Sequence, residues 1–176
     1  LVPAISGGEL IAIYGDYDAD GVTATALLVQ LLSALEAHVE GYIPNRFDEG
    51  YGLNNEALDT LKEKGVKLVV TVDCGVRSIE EALHARDLGL DLIITDHHHP
   101  GEQLPPALAV INPKQEGDPY PEKNLAGVGI AYKLGLALLN ELRRTGDQNA
   151  IAFDETLLLD LVAIGTVADL APLTAE

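Results

Sequence analysis

Residues 10–37 read LIAIYGDYDADGVTATALLVQLLSALEA, and this segment settles the expected architecture. It opens with a short apolar run at 10–14, passes through a polar loop rich in aspartate, and ends in apolar residues at helical spacing over 22–37. That succession predicts a strand, a loop and a helix. The cycle returns in modified form, with strands predicted at 39–43, 67–72, 92–95 and 109–111 and helices at 54–64 and 78–88.

Strands that are almost continuously apolar and alternate with helices are typical of a parallel sheet covered by helices. We therefore predict an α/β fold with a parallel sheet of about five strands. Ser78, with Glu81 three residues later, predicts a capping box at the start of the third helix. From residue 127 the pattern is wholly helical, with one helix to about residue 144 and another from about residue 154. One domain over 1–176 is expected, divided into a sheet core (1–112), a loop (113–126) and a helical segment (127–176).

The chain is strongly acidic, with 11 Lys and Arg against 28 Asp and Glu and a net charge of −17. This balance argues against a broad surface that grips nucleic-acid phosphates unless metal ions or a basic partner domain help. The sequence shows neither an apolar run long enough for a membrane span nor a signal peptide, which predicts a cytoplasmic protein without a membrane partner. The single cysteine, Cys74, agrees with a reducing compartment. Because the chain starts at Leu1 and has no Met, we interpret it as a fragment.

Acidic, histidine or asparagine side chains follow four of the predicted strands. Ligands of open α/β sheets bind beyond the carboxyl ends of the strands, so these side chains are expected to converge. Like charges so close together would raise one another's pKa unless cations were bound. Carboxylates with one or two imidazoles suit Mn²⁺ or Mg²⁺, although imidazole also binds other metals and so does not fix the identity of the ion. The residues concerned are Asp16, Asp18 and Asp20 after the first strand, Asp73 after the third, Asp96, His97, His98 and His99 after the fourth, and Asn112 after the fifth.

Each of these signals has a structural alternative. Asp20 with Gly21, taken alone, is more typical of a turn, and Asp73 alone fits helix capping as well as ligation. A calcium loop counted from Asp16 is excluded, because its twelfth position is Leu27 rather than glutamate. Cys74 is predicted to be a small buried residue rather than a nucleophile.

Five segments, taken as an ordered set, resemble the successive motifs of DHH phosphoesterases in their RecJ variant. They are DYDADG (16–21), VDCG (72–75), DHH (96–98), LAGVGIAYKL (125–134) and DLVAIGTVADLAPL (160–173). A further RecJ-like segment is IPNRFDEGYGL (43–53). The resemblance covers essentially the whole chain.

The resemblance implies a two-metal site with Mn²⁺ or Mg²⁺. Asp73 matches the carboxylate that bridges the two ions. Many DHH phosphatases carry a histidine where this chain has Tyr14, and Asp16 or a water is expected to compensate. The implied metal ligands are Asp18, Asp20, Asp73, His97 and Asp169, with Asp160 a weaker substitute for Asp169.

Catalytic and substrate-binding roles also follow from the resemblance. His98 matches a residue that touches the scissile phosphate and steadies the leaving group, and Asp96 looks like its orienting partner. Arg46 and Tyr51 resemble residues that meet the DNA backbone. The implied mechanism is hydrolysis by a water activated between two metal ions, without a covalent intermediate.

The implied function is a five-prime to three-prime exonuclease that releases mononucleotides from single-stranded DNA in repair and recombination. C-terminal DHH-associated and DNA-binding domains would lie outside this chain, and a single-strand-binding protein and a helicase are implied partners. A phosphodiesterase for short oligoribonucleotides or cyclic dinucleotides is an alternative within the fold. The others are an inactive scaffold in a replication complex and a haloacid-dehalogenase-type phosphatase with Asp18 as nucleophile, a class that leaves the histidine loop unexplained.

Overall fold

The computed structural model describes residues 1–45 and 52–173, and within them a five-stranded parallel sheet lies at the centre. The strand order is β2-β1-β3-β4-β5, and every neighbouring pair is parallel. The predicted sheet is therefore confirmed. The strands are β1 (Ile11–Gly15), β2 (Val39–Tyr42), β3 (Leu68–Val72), β4 (Asp91–Thr95) and β5 (Ala109–Ile111).

The helices follow the predicted segments with shifted ends. The helix predicted over 22–37 begins earlier, because the Asp18 carboxylate caps it by accepting the Gly21 amide at 3.0 Å. It also ends earlier, where Glu36 takes a left-handed conformation with φ 58°. Two short helices, α1 and α6, were not predicted. The elements are α1 (Val2–Ser6), α2 (Ala19–Ala34), α3 (Asn55–Glu63), α4 (Ile79–Asp87), α5 (Gly127–Arg144), α6 (Gln148–Ala152), a 3₁₀ turn (Glu155–Leu158) and α7 (Leu159–Ala168).

The predicted capping box at Ser78 is wrong. Ser78 is the N-cap of α4, but its side chain accepts no capping hydrogen bond. Its backbone has ψ 67°, whereas Asp18 and Asn54, whose side chains do cap their helices, are extended with ψ 179° and 154°. The Ser78 hydroxyl is therefore not aimed at the amides of the first turn.

Successive residues of β1 point to opposite faces of the sheet, as the pleat requires. Ile11 and Ile13 are fully buried under α2, α5 and α7, while Ala12 and Tyr14 are fully buried under α3 and α4. The two cores consist almost entirely of aliphatic side chains. No helix in the described part of the chain is long and apolar enough to cross a membrane.

The strand order places a topological switch point between β1 and β3. From β1 the chain moves to β2 on one side, and from β3 onward it moves away on the other side. The two loops that follow β1 and β3 therefore diverge and leave a crevice at the carboxyl edge of the sheet. In doubly wound sheets of this order, that crevice is where ligands bind.

Candidate metal centre

Asp73 stands at the end of β3, in the crevice, with a backbone conformation that few residues adopt. Its φ is 61°, in the left-handed region, and its side chain is buried. Such a conformation costs on the order of 1–3 kcal/mol and persists where the surroundings enforce it, often at functional sites. Aspartate and asparagine tolerate it better than most residues do. The turn after β3 thus directs a carboxylate into the crevice.

His97 faces Asp73 across the crevice. His97 Nε2 lies 3.0 Å from Asp73 Oδ1, yet neither atom takes part in a hydrogen bond within the described structure, and both are buried. Burial raises the pKa of Asp73 to about 7, and the charges of Asp20 and Asp18 add to this rise. Unsatisfied buried polar atoms are rare in native proteins. A buried carboxylate oxygen and imidazole nitrogen that lie at ion-pair distance without a well-directed hydrogen bond fit two ligands of one cation.

Asp20 is fixed by the first turn of α5. Its Oδ2 accepts the Gly127 amide at 2.6 Å, and its Oδ1 accepts the Val128 amide at 2.8 Å. Burial nevertheless raises the pKa of Asp20. A carboxylate has about four acceptor sites, so both oxygens can still face a cation. Asp20 Oδ2 lies 3.8 Å from His97 Nε2, which brings Asp20 to the same ligand cluster.

Asp16 and Asp18 complete the side of the cluster that β1 supplies. Asp16 is buried and accepts its neighbour's amide, from Tyr17, at 2.8 Å. Asp18 is exposed and spends one oxygen on capping α2. Asp16, Asp18 and Asp73 can each present a ligand atom within 4.8 Å of the others.

Asp169, at the C-terminus of α7, also reaches the cluster. Its Oδ2 lies 3.7 Å from His97 Nδ1, and Asp20, His97 and Asp169 form a second group with ligand atoms within 4.8 Å. Asp73, His97 and His98 form a third. Asp160 is exposed, bonds the Leu161 amide and belongs to none of these groups. The overlap of the groups at Asp73 and His97 suits two neighbouring ions.

Asp96 orients the histidine loop from beneath. Its Oδ1 accepts both the backbone amide of His98, at 3.0 Å, and His98 Nδ1, at 2.8 Å, while its Oδ2 accepts the Val76 amide at 2.9 Å. Burial favours the protonated acid, but these hydrogen bonds outweigh it and hold the pKa of Asp96 below its ordinary value. The bond to Asp96 in turn raises the pKa of His98. His98 therefore carries its Nδ1 proton toward Asp96, with Nδ1 also 3.9 Å from Asp73 Oδ1, while the side chain as a whole is 44% exposed.

Other residues singled out in the sequence lie around this cluster. Tyr14 is not in any of the three metal groups: its hydroxyl donates to the Gly52 carbonyl at 2.8 Å and accepts from Asn54 Nδ2 at 3.0 Å. Cys74 is buried, and burial raises the pKa of its thiol well above the usual range, which disfavours a nucleophilic role. Arg46 and Tyr51 lie outside the described residues.

Two glycines for which the sequence predicted no role, Gly127 and Gly165, leave room for the carboxylates of the cluster. A Cβ on Gly127 would lie 2.7 Å from Asp73 Cβ and 3.0 Å from Asp20 Oδ2. A Cβ on Gly165 of α7 would lie 2.7 Å from Val128 Cγ1 and 3.0 Å from Asp20 Oδ1. These glycines let α5 and α7 approach the carboxylates closely. The only available signal was the glycine content of the LAGVGI and AIGTV segments.

The fold and the cluster together define a class of protein. Residues 10–166 match the family model described as DHH family, N-terminal domain. The chain therefore belongs to the DHH family. This membership sets aside the dehalogenase-type alternative.

Two curated relatives are similar to this chain over nearly its whole length. The chain is 54% identical over 173 residues to the single-stranded-DNA-specific exonuclease RecJ of Bacillus subtilis, covering 98% of this chain and 20% of the relative. It is 48% identical over 180 residues to RecJ of Escherichia coli, covering all of this chain and 31% of the relative. The chain thus spans between a fifth and a third of the length of these relatives.

Two solved structures share the fold closely. A crystal structure of exonuclease RecJ bound to manganese has a TM-score of 0.83 at 41% identity, covering 98% of this chain and 42% of that one. RecJ of Thermus thermophilus in complex with Mn²⁺ has a TM-score of 0.77 at 37% identity, covering 98% of this chain and 23% of that one.

Proposed function

We propose that the chain is the catalytic domain of a metal-dependent exonuclease that hydrolyses single-stranded DNA. The observation that carries the proposal is the pair Asp73 Oδ1 and His97 Nε2, buried 3.0 Å apart and lacking hydrogen bonds within the described structure. Support for the substrate comes from relatives at 48–54% identity that are single-stranded-DNA-specific exonucleases. Five-prime to three-prime polarity and release of mononucleotides rest on the motif resemblance alone.

The cluster would hold two divalent ions, and by the motif resemblance Asp73 would be a ligand of both. What Mn²⁺ or Mg²⁺ supplies when bound is Lewis-acid polarisation of the phosphate and a lowered pKa of bound water. The chain's own part is to hold carboxylates and one imidazole around that place, out of bulk water. The proposed ligands are Asp18, Asp20, Asp73, His97 and Asp169, with Asp16 alongside.

His98 is proposed to act on the phosphate rather than mainly on the metal. With Nδ1 held by Asp96 at 2.8 Å, the other ring nitrogen, Nε2, is left to donate a proton to a phosphate oxygen or to the departing sugar oxygen. The raised pKa of His98, due first to its bond with Asp96, favours that protonated form. Arg46 and Tyr51, outside the described residues, are proposed to contact the DNA backbone.

The charge of −17 leaves this domain poorly suited to grip a long strand by itself. We propose that domains beyond this chain supply the grip, since the relatives are at least three times longer than the matched segment. A cytoplasmic location, and partnership with a single-strand-binding protein and a helicase, are further proposals that rest on the resemblance.

The proposal is tested by comparing Asp73→Asn with Asp160→Asn in the complete protein supplied with Mn²⁺. Asp73→Asn keeps the shape and tolerates φ 61° but removes the charge. It should lower the rate of mononucleotide release from end-labelled single-stranded DNA by more than the roughly 10–100-fold that loss of a ligand's partner costs. Asp160→Asn, outside the cluster, should keep full activity.

Full activity of Asp73→Asn, or of the unaltered protein in excess EDTA, would overturn the metal-dependent mechanism. A short oligoribonucleotide assayed in parallel separates the alternative substrate class. Faster hydrolysis of that RNA than of DNA would overturn the DNA assignment and leave the metal site standing.

A further inference from the structure

A cavity of about 520 Å³ opens directly beside His98. Its walls come from the β3–α4 turn, from the histidine loop, from Lys114 and from Gly52 and Leu53. A cavity of this size lies within the range that accommodates a small ligand. Under the proposed function, on which this inference rests, a nucleotide adjoining the scissile phosphate would lie here.

Two cations of this acidic chain line the cavity. Neither Arg77 nor Lys114 has a carboxylate within 4.0 Å among the described residues, and the terminal guanidinium nitrogens of Arg77 have no hydrogen-bond partner there. Most of the other basic side chains with a described partner form ion pairs with carboxylates. These are Lys64 with Glu40, Arg86 with Asp87, Lys123 with Asp118, Arg143 with Glu155 and Arg144 with Glu141.

The Arg77 side chain and, through Asn112, the backbone of Lys114 are linked to consecutive carbonyls of the histidine loop. Arg77 Nε donates to the His99 carbonyl at 2.8 Å. Asn112, which is buried, donates through Nδ2 to the His98 carbonyl at 2.8 Å and accepts the Lys114 amide at 2.8 Å. The Arg77 guanidinium and the backbone of Lys114 are therefore held close to His98, and the Lys114 ammonium extends from that fixed backbone into the cavity lining, an arrangement that suits recognition of a second phosphate.

The carboxylates of the cavity leave that positive charge in excess. Asp96 accepts three hydrogen bonds and faces His98, so its charge is already matched. Glu81 is the other acid of the lining. Two cations against Glu81 leave one net positive charge, which matches the single negative charge of a phosphodiester.

We infer that Arg77 and Lys114 bind a non-scissile phosphate of the substrate strand, with the intervening nucleoside in the cavity beside His98. Arginine suits such a site because its fork can give a phosphate two parallel hydrogen bonds, and lysine adds a point charge. The cavity would thus set the register in which the strand enters the metal centre.

The test uses Arg77→Gln, Lys114→Gln and the double variant in the complete protein with Mn²⁺. The substrates are single-stranded oligodeoxynucleotides with one uncharged methylphosphonate linkage, moved along the strand. Each single variant should raise KM about 10–100-fold, the range for a hydrogen bond to a charged group, and change kcat little. Each lost contact should also lower the salt dependence of binding by about 0.7 in log–log slope.

Neutralising one particular non-scissile phosphate should raise the KM of the unaltered protein by the same factor. It should leave the KM of the double variant unchanged. Lys67→Gln, at the amino end of β3, and Arg86→Gln, at the far end of α4, are matched controls expected to change neither quantity. Lys114→Gln is expected to disturb the histidine loop less than Arg77→Gln does, because Lys114 bonds Asn112 through its backbone amide, which the substitution keeps.

The inference is overturned if Arg77→Gln and Lys114→Gln behave like their controls, or if the double variant stays sensitive to the same methylphosphonate. In either case the unaltered protein still degrades DNA, so the proposed function stands. An unaltered protein that cleaves no single-stranded DNA overturns the proposed function, and the inference with it.

Discussion

The backbone amide of Gly127 donates a 2.6 Å hydrogen bond to Asp20 Oδ2, across 107 residues of sequence. Val128 donates to the other oxygen of the same carboxylate at 2.8 Å. The N-terminus of α5, with its unpaired amides and favourable dipole, thereby fixes an acidic side chain of the loop after β1. The helical C-terminal segment is in this way part of the candidate metal centre as well as of the core.

Gly127→Ala should displace the ligand Asp73 and so weaken metal binding. The added Cβ would lie 2.7 Å from Asp73 Cβ, so Asp73 or α5 must move. We expect a loss of about 1–3 kcal/mol in unfolding free energy, the usual cost of overpacking, and at least a tenfold weaker Mn²⁺ affinity. Thermal unfolding and calorimetric titration with Mn²⁺ measure the two effects.

Gly129→Ala, on the same helix, is the matched control. The nearest atom to its Cβ is in Leu125 at 3.4 Å, an ordinary contact. Because alanine favours a helix interior by up to about 1 kcal/mol over glycine, this variant should be neutral or more stable. Equal behaviour of the two variants would contradict the close approach of α5 to Asp73.

Asp96→Asn should slow catalysis while leaving metal binding largely intact. The variant weakens the bond that holds His98 Nδ1 at 2.8 Å, so the imidazole is no longer held in one orientation. We expect kcat to fall about 10–100-fold, as when an orienting partner is lost, with little change in the Mn²⁺ concentration needed for half-maximal activity. A fall in metal affinity as large as that of Asp73→Asn would show that Asp96 acts on the ion instead.

Mn²⁺ affinity should depend steeply on pH near neutrality. Burial raises the pKa of Asp73 to about 7 in the metal-free protein, and an ion binds only the ionised carboxylate. Protons therefore compete with the metal, and apparent affinity should fall about tenfold per pH unit below about pH 7 for each proton released.

Calorimetric titrations between about pH 5.5 and 8.5 measure this dependence, and constant affinity over that range would contradict it.

The same raised pKa of Asp73 means that the folded, metal-free protein retains a proton that the unfolded chain releases. Its stability should therefore decrease as pH rises from about 4 to 7.

Tyr14→Phe tests whether the residue standing in place of a histidine serves the metal. It removes the hydroxyl that bonds Gly52 and Asn54, which should lower unfolding free energy by about 1 kcal/mol. Mn²⁺ affinity should stay unchanged, because the hydroxyl is engaged by Gly52 and Asn54. A marked loss of Mn²⁺ binding would instead assign Tyr14 to the centre.

Local patterns in the sequence were sufficient for the sheet and for much of the cluster. Apolar runs bounded by turns located all five strands, and parallel strands bring their carboxyl ends to one edge, so Asp20, Asp73 and His97 could be expected together. The contact of Gly127 with Asp20 could not be foreseen, because nothing local encodes a pairing across 107 residues. The failed capping box at Ser78 has a similar origin, since it depended on a backbone angle that the turn after β3 imposes.

Anomalous scattering from Mn²⁺-soaked crystals of the complete protein will show whether Asp73 lies between two metal ions. Two anomalous peaks are predicted at the carboxyl edge of β1 and β3, both within ligand distance of Asp73, with His97 on one of them. Peaks that leave Asp73 without an ion, or no peak at that edge of the sheet, would show that Asp73 does not bridge two ions.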